Sequence, residues 1–252
     1  MSSAPKIAIR GLIKSFGDKA VLDGLDLDVP TGESLAVIGQ SGTGKSVLLK
    51  CILGLLVPER GSIRIDGEEV VGAGARELER IRAKFGMLFQ GSALFDSLPV
   101  WRNVTFGITQ GRLQHAAAMR AKAEAMLEKV GLGAQVLDLR PSELSGGMQK
   151  RVALARAIAP GPEILFFDEP TTGLDPIRAD VIDKLITGVV EDLGTTAVTI
   201  THDLASARKI AHRVAMLHEA RIVWEGGTEA LDASRHPMVE QFVLGRSDGP
   251  SG

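Results

Sequence analysis

The sequence predicts an α/β fold: a mainly parallel sheet with crossover helices, preceded by an antiparallel β lobe at the N-terminus and interrupted by an inserted α-helical lobe. Three observations predict it. Leu25, Leu27 and Val29 alternate with Asp26 and Asp28, the period of a half-exposed strand. Short apolar runs at 35–38, 164–167 and 197–200 each end in glycine or polar residues and lead into helical patterns, as strands of a parallel sheet do. Between the first two runs, residues 92–159 are dominated by the helix formers Ala, Leu, Glu, Lys and Arg.

Taken in order, the run Leu35-Ala36-Val37-Ile38 stops at Gly39 and passes through a Gly-rich turn into Val47-Leu48-Leu49, with Ile52 and Leu53 continuing the apolar surface. This reads as buried strand, loop, helix. In the helical lobe, Ala116, Met119, Ala123, Met126 and Val130 step by three or four and form one apolar face, closed by Gly131. Methionines on such a face are packing material. A further helical stretch, 150–159, is stopped by Pro160. No internal repeat is visible. One domain over 1–246 is expected, with the tail 247–252, SDGPSG, disordered.

The chain has 252 residues, of which 44% are hydrophobic, 24% charged and 4% aromatic, the composition of a globular protein. Lys plus Arg is 29 against 31 for Asp plus Glu, a net charge of −2, so the basic excess that nucleic-acid binding needs is missing. Cys51 is the only cysteine, which excludes an intramolecular disulfide and any multi-cysteine metal site and suits a reducing compartment. No apolar stretch approaches the roughly 18 residues of a membrane span, and the start lacks the apolar core of a secretory signal. A cytoplasmic location is therefore expected. Tyrosine is absent, so any task for an aromatic ring falls to Phe or Trp.

Gly39-Gln40-Ser41-Gly42-Thr43-Gly44-Lys45-Ser46 fits G-x-x-x-x-G-K-[ST] and sits directly after a strand and at the opening of a helix, the context its mechanism requires. The glycines let backbone N–H groups point inward, and the helix dipole adds to them, forming a nest for the β- and γ-phosphates of a nucleotide. Lys45 supplies a full charge there, and the Ser46 hydroxyl is placed to coordinate Mg²⁺. The core is thus expected to be that of a P-loop NTPase. Downstream, the apolar run 164–167 delivers Asp168 and Glu169. Beside a phosphate loop, Asp168 suits Mg²⁺ and Glu169 the polarising of an attacking water; without that loop the pair would read as a helix cap or surface carboxylates.

Leu144-Ser145-Gly146-Gly147-Met148-Gln149 precedes the stretch 150–159. Two glycines in the first turn of a helix cost about 1 kcal/mol each against alanine, so local stability would not put them there. With Ser145 as cap, they leave bare N–H groups open to a phosphate, a second anion site without a lysine. Here the chain resembles the ATP-binding-cassette (ABC) ATPases, whose signature reads LSGGQ; Met148 replaces the Gln, and Gln149 follows. The resemblance covers about residues 7–245.

That resemblance implies ATP sandwiched between the phosphate loop of one subunit and Ser145, Gly146 and Gly147 of another, hence a dimer of this chain. It also assigns roles residue by residue. Phe16, in Lys14-Ser15-Phe16-Gly17, matches the aromatic that stacks on adenine. Gln90, after an expected strand Met87-Leu88-Phe89, matches the glutamine that senses Mg²⁺ and the water and links to the helical lobe. Asp175, before Pro176, matches the aspartate that communicates across the dimer, although Asp before Pro is also a good helix cap. His202 matches the histidine that contacts the γ-phosphate. The remaining histidines, His115, His212, His218 and His236, lack metal-ligand spacing, and Cys51 reads as a small buried hydrophobe.

No coiled-coil insertion, second cassette or fused membrane span is present in the sequence, so the chain resembles a separate ATPase subunit docked on an integral-membrane permease. The segment 87–104, MLFQGSALFDSLPVWRNV, is similar to the LFQSGALFDSMTVFENV pattern of the Mla/Mce phospholipid-transport ATPases, as are 142–151 and the tail 237–242 with Gly245 and Gly249-Pro250. Polar amino-acid importers usually carry other residues after the glutamine. Gly91 and Ser92 are swapped relative to that pattern, Pro99 replaces Thr, and Trp101-Arg102 replaces an aromatic–acid pair. Leu94, Phe95 and Leu98 could also simply pack the lobe's core. The resemblance implies ATP-driven phospholipid transport from the cytoplasmic face of the inner membrane, with a permease and a membrane-anchored MCE-type lipid-binding protein as partners. The alternatives are a small-solute importer and a nucleotide-switched protein without a permease.

Overall fold

The computed structural model describes residues 4–112 and 115–245. In chain order the elements are β1 (Ile7–Phe16), β2 (Lys19–Val29), β3 (Ser34–Ile38), α1 (Lys45–Ile52), β4 (Arg60–Ile65), β5 (Glu68–Glu69), α2 (Ala75–Arg82), β6 (Phe85–Leu88), α3 (Val100–Thr109), α4 (Ala116–Lys129), α5 (Gly146–Ile158), β7 (Ile164–Asp168), α6 (Pro176–Leu193), β8 (Thr196–Thr201), α7 (Leu204–Ile210), β9 (Arg213–His218), β10 (Arg221–Gly227) and α8 (Pro237–Leu244). They form two compact units, one built from the chain up to Ala83 and from Val198 onward, the other from Lys84–Ala197.

In the first unit, β1 pairs antiparallel with β2 and β4, giving the order β2-β1-β4-β5. Leu25, Leu27 and Val29 are buried while Asp26 is exposed, the alternation that the sequence carries. Each such buried aliphatic contributes about 1.5–3 kcal/mol. A second sheet runs β10-β9-β3-β8, with β3 and β9 parallel and β9 and β10 antiparallel. All five residues of β3 are buried, as expected of a strand covered on both faces.

In the second unit, β6 and β7 pair in parallel, Leu88 opposite Phe167. Gly86 lets the backbone of α5 come directly onto β6, since a Cβ there would lie 2.4 Å from the carbonyl oxygen of Ala157. The expected strand at 87–89 ends one residue early: Phe89 leaves the ladder for a turn in which its carbonyl accepts the N–H of Ser92. The α4 face also differs from the expected one. Ala116 is exposed, and Leu127, outside the proposed series, is fully buried with Ala123 and Val130. Three helices, α3, α4 and α5, occupy the span in which the sequence places a helical lobe.

Among the described residues, no helix is long and apolar enough to cross a membrane. The expectation for 247–252, and the Gly249-Pro250 match, lie outside the described residues.

Candidate functional site

In the first unit the chain leaves buried β3 at Gly39, with φ 155°, where a Cβ would lie 2.4 Å from the carbonyl oxygen of Leu217. It enters α1 through Gly44, with φ 106°, where a Cβ would meet the carbonyl oxygen of Val21 at 2.7 Å. Neither position can take a side chain without moving backbone. The α1 N-terminus has no side-chain cap and no acidic residue in its first turn, so its positive end is left to an outside anion. Lys45 is only 6% exposed, and its Nζ donates to the carbonyls of Gly39 (2.7 Å) and Gln40 (2.8 Å). Thr43 Oγ1 donates to the same Gln40 carbonyl at 2.9 Å. Gln40, Ser41, Gly42 and Ser46 are exposed. A glycine-rich loop at an uncapped helix N-terminus, with a cation folded beside it, has the chemistry of a phosphate cradle.

Two other predicted residues lie in this unit. His202 is exposed at the end of β8. The backbone next to it is pinned by Thr201 Oγ1, which accepts the N–H of Asp203 at 2.9 Å, while the Asp203 carboxylate caps α7 by accepting from Ala205 N–H at 2.8 Å. A cavity of 560 Å³ opens beside Gln40 and His202, walled by Met216, Met238 and Phe242. The Phe16 ring ends β1 half exposed, with Lys14 Nζ 5.3 Å from its centroid. Cys51 is buried in α1, and burial pushes its thiol up to about 11. His212 has a structural partner, its Nδ1 accepting the Ser34 N–H at 3.1 Å.

In the second unit, β7 carries four buried residues and then half-buried Asp168 and Glu169. Glu169 is in the left-handed region, φ 49°, which costs a non-glycine residue about 1 kcal/mol or more. Thr172 holds it there, its N–H donating to the Glu169 carbonyl (3.3 Å) and its Oγ1 to Glu169 Oε2 (3.0 Å). Gln90 lies exposed just past β6, and its backbone carbonyl accepts a hydrogen bond from Lys150 Nζ. Lys150 is 6% exposed; burial pushes its ammonium below the usual lysine range, while Asp168 and Glu169 pull it back up.

Gln90, Asp168, Glu169 and Lys150 therefore share one edge of this unit. Lys150 is the member the sequence reading missed. Its signal was the spacing Lys150, Ala153, Leu154, Ala157, Ile158, which puts a charge on the buried face of a helix.

The helix begins at Gly146, with both glycines in its first turn as the sequence predicts. Ser145 caps it by accepting the N–H of Met148 at 3.3 Å. Gln149, one position beyond the Met148 replacement, secures the preceding turn by donating to the carbonyls of Pro141 (2.9 Å) and Leu144 (3.3 Å). Gly146 and Gly147 have ordinary negative φ, and a Cβ on either would meet nothing within 4 Å. Neither the backbone nor the packing of this chain asks for glycine at these two positions. Asp175 caps α6, accepting the N–H of Arg178 at 3.0 Å with Pro176 at the first helical position.

A family model described as ABC transporter matches residues 22–172. The chain is 41% identical over 246 residues, 98% of its length and 71% of the relative's, to a Mycobacterium leprae protein named probable ribonucleotide transport ATP-binding protein mkl. It is 42% identical over 245 residues, 97% of its length and 92% of the relative's, to the Haemophilus influenzae protein named intermembrane phospholipid transport system ATP-binding protein MlaF. Among solved structures, the dimeric post-hydrolysis state of the ATP-binding cassette MJ0796 bound to ADP and Pi aligns with TM-score 0.80 at 30% identity, over 88% of this chain and 98% of that one. The cbiO1 subunit of the cbiONQ ABC transporter complex from Clostridium perfringens aligns with TM-score 0.82 at 27% identity, over 96% of each.

Proposed function

Because the chain belongs to the ABC transporter ATP-binding family and so binds and hydrolyses ATP with Mg²⁺, we propose that two copies close head to tail on ATP and drive a separate integral-membrane permease that moves phospholipid between membranes. The observation that carries the dimer is the pair Gly146 and Gly147, each costing about 1 kcal/mol of helix propensity with no conformational or packing need inside the chain. A partner's nucleotide approaching the bare N–H groups of α5 supplies that need.

In this reading the N–H groups from Gly39 to Gly44 and the Lys45 ammonium hold the β- and γ-phosphates, and Phe16 stacks on adenine. Ser46, Asp168 and Gln90 serve Mg²⁺, which when bound neutralises charge developing on the transferred phosphoryl group. Glu169 orients and polarises the attacking water, and His202 contacts the γ-phosphate. Ser145, Gly146 and Gly147 of one copy complete the site of the other, and Asp175 reports closure between copies.

Two variants test these assignments. Glu169→Gln keeps ATP binding and accumulates the closed dimer, whereas Lys45→Ala weakens binding itself; unchanged turnover in both would overturn the site.

The phospholipid cargo is supported by the segment 87–104 and by the relative named for intermembrane phospholipid transport. A second reading, import of a small polar solute, draws on the relative named for ribonucleotide transport. Affinity purification of the tagged chain from detergent-solubilised native membranes, with mass spectrometry of partners and bound lipids, separates the two. A polytopic permease recovered with a membrane-anchored MCE-type protein and phospholipid supports the first reading and a peripheral position on the cytoplasmic face of the inner membrane. A permease with a solute-binding protein supports the second.

A further inference from the structure

We propose that Lys150 is a positioning residue for ATP hydrolysis: from the buried face of α5 its ammonium holds the backbone of Gln90 beside Asp168 and Glu169, so that Gln90 travels with the helix that begins at the Ser145 cap. The proposal rests on the reading of Gln90 as a group that serves Mg²⁺ and the water.

Several contacts make α5 a rigid arm for this purpose. Its backbone lies directly on β6 at Gly86, and Val152, Ala153, Leu154 and Ala155 are fully buried. From this fixed base α5 grips the chain after β6 at two places. Lys150 Nζ takes the carbonyl of Gln90. Six residues on, Arg156 donates from Nη2 to the Ser92 carbonyl (2.7 Å) and from Nη1 to the Ala93 carbonyl (2.5 Å).

What Arg156 holds is strained. Ser92 and Ala93 are consecutive non-glycine residues in the left-handed region, with φ 60° and 48°, a pairing that persists only where surrounding contacts impose it. The segment from Gln90 to Ala93 is therefore set by α5. A helix needing only packing would place an apolar side chain at position 150, where burial of an ammonium is costly unless it is partnered. Here it is partnered by the Gln90 carbonyl and lies in the field of Asp168, the last residue of β7, and of Glu169, which follows it.

The test is a double-mutant cycle on the full chain, with kcat, KM and the Kd for a fluorescent ATP analogue measured for Lys150→Met, Lys150→Arg, Gln90→Ala and the Lys150→Met/Gln90→Ala double variant. Misplacing Gln90 is expected to lower kcat about tenfold or more in Lys150→Met while nucleotide Kd changes less than about twofold. Lys150→Arg, which keeps a charged donor, recovers most of the loss. In the Gln90→Ala background Lys150→Met lowers kcat no further, because the residue through which it acts is gone. Lys150→Gln shows the same pattern and serves if Lys150→Met does not fold.

Additive losses in the double variant, or turnover in folded Lys150→Met equal to wild type beside a clear loss in Gln90→Ala, overturn the positioning role alone. Unchanged turnover in Gln90→Ala overturns the reading of Gln90, and the proposal with it.

Discussion

Gly39 and Leu217 are so close that a Cβ on the first would lie 2.4 Å from the carbonyl oxygen of the second. The two follow the paired residues Ile38 and Met216 of parallel β3 and β9, so the phosphate loop starts where the sheet leaves no room for a side chain. Gly39→Ala must push β3 from β9 or displace the loop, an overpacking cost of about 1–3 kcal/mol. Calorimetry should show a lowered Tm, and titration with ATP a weakened Kd. A Gly39→Ala chain with wild-type affinity would contradict the claim that this contact shapes the loop.

Gly147 predicts the opposite sign for stability. Its φ is ordinary and the space about it empty, so Gly147→Ala should stabilise the isolated chain by about 0.5–1 kcal/mol through helix propensity. The same methyl would stand where a partner's phosphate is proposed to approach, so ATP turnover and ATP-dependent dimerisation should fall. Denaturant unfolding and size-exclusion chromatography with the Glu169→Gln background read the two effects separately. A variant that is more stable and equally active would show that no ligand uses these N–H groups.

The core and the phosphate loop were legible because their signals are local. An apolar run broken by glycine marks β3 and its loop, and Asp175-Pro176 marks the start of α6. The start of α5 was legible in the same way: Ser145 marks the cap despite the propensity cost of Gly146 and Gly147, and the Gln149 side chain secures the turn before it. Lys150 was only half legible: its spacing with Ala153, Leu154, Ala157 and Ile158 places it on a buried helix face, but nothing local says what it meets there. Its partner is a backbone carbonyl 60 residues away, which no side-chain pattern records. The strain at Glu169, Ser92 and Ala93 is likewise a property of tertiary contacts.

Asp175 has a local role as well as a proposed one, and substitution can separate them. Its carboxylate caps α6, and the nearby ion pair with Arg178, 3.2 Å between largely exposed groups, adds little. Asparagine caps as well as aspartate, whereas alanine loses about 1 kcal/mol. Asp175→Asn should therefore keep the Tm of the wild type and Asp175→Ala should lower it. If turnover falls in both, the charge acts beyond the cap; if it follows Tm, with Asp175→Asn fully active, capping is the whole role.

Cys51 gives a pH dependence whose sign follows from burial. The thiol ionises near 9.0 when solvated and at about 11 in the fold, because burial disfavours the thiolate; Lys14 opposes this weakly and Glu59 adds to it. The folded state thus holds the proton more tightly than the unfolded one. The associated stabilisation is complete below the unfolded pKa and is lost as pH rises from 9.0 toward 11. Thermal melts across this window should show the wild type losing stability more steeply than Cys51→Ala, which has no thiol to ionise, even if its absolute Tm is lowered by the lost packing. The same burial keeps the protonated thiol away from solvent, so its reaction with a disulfide reagent at pH 8 should be slow until denaturant is added. Parallel pH profiles for the two chains would mean that the thiol ionises freely and that α1 does not enclose it.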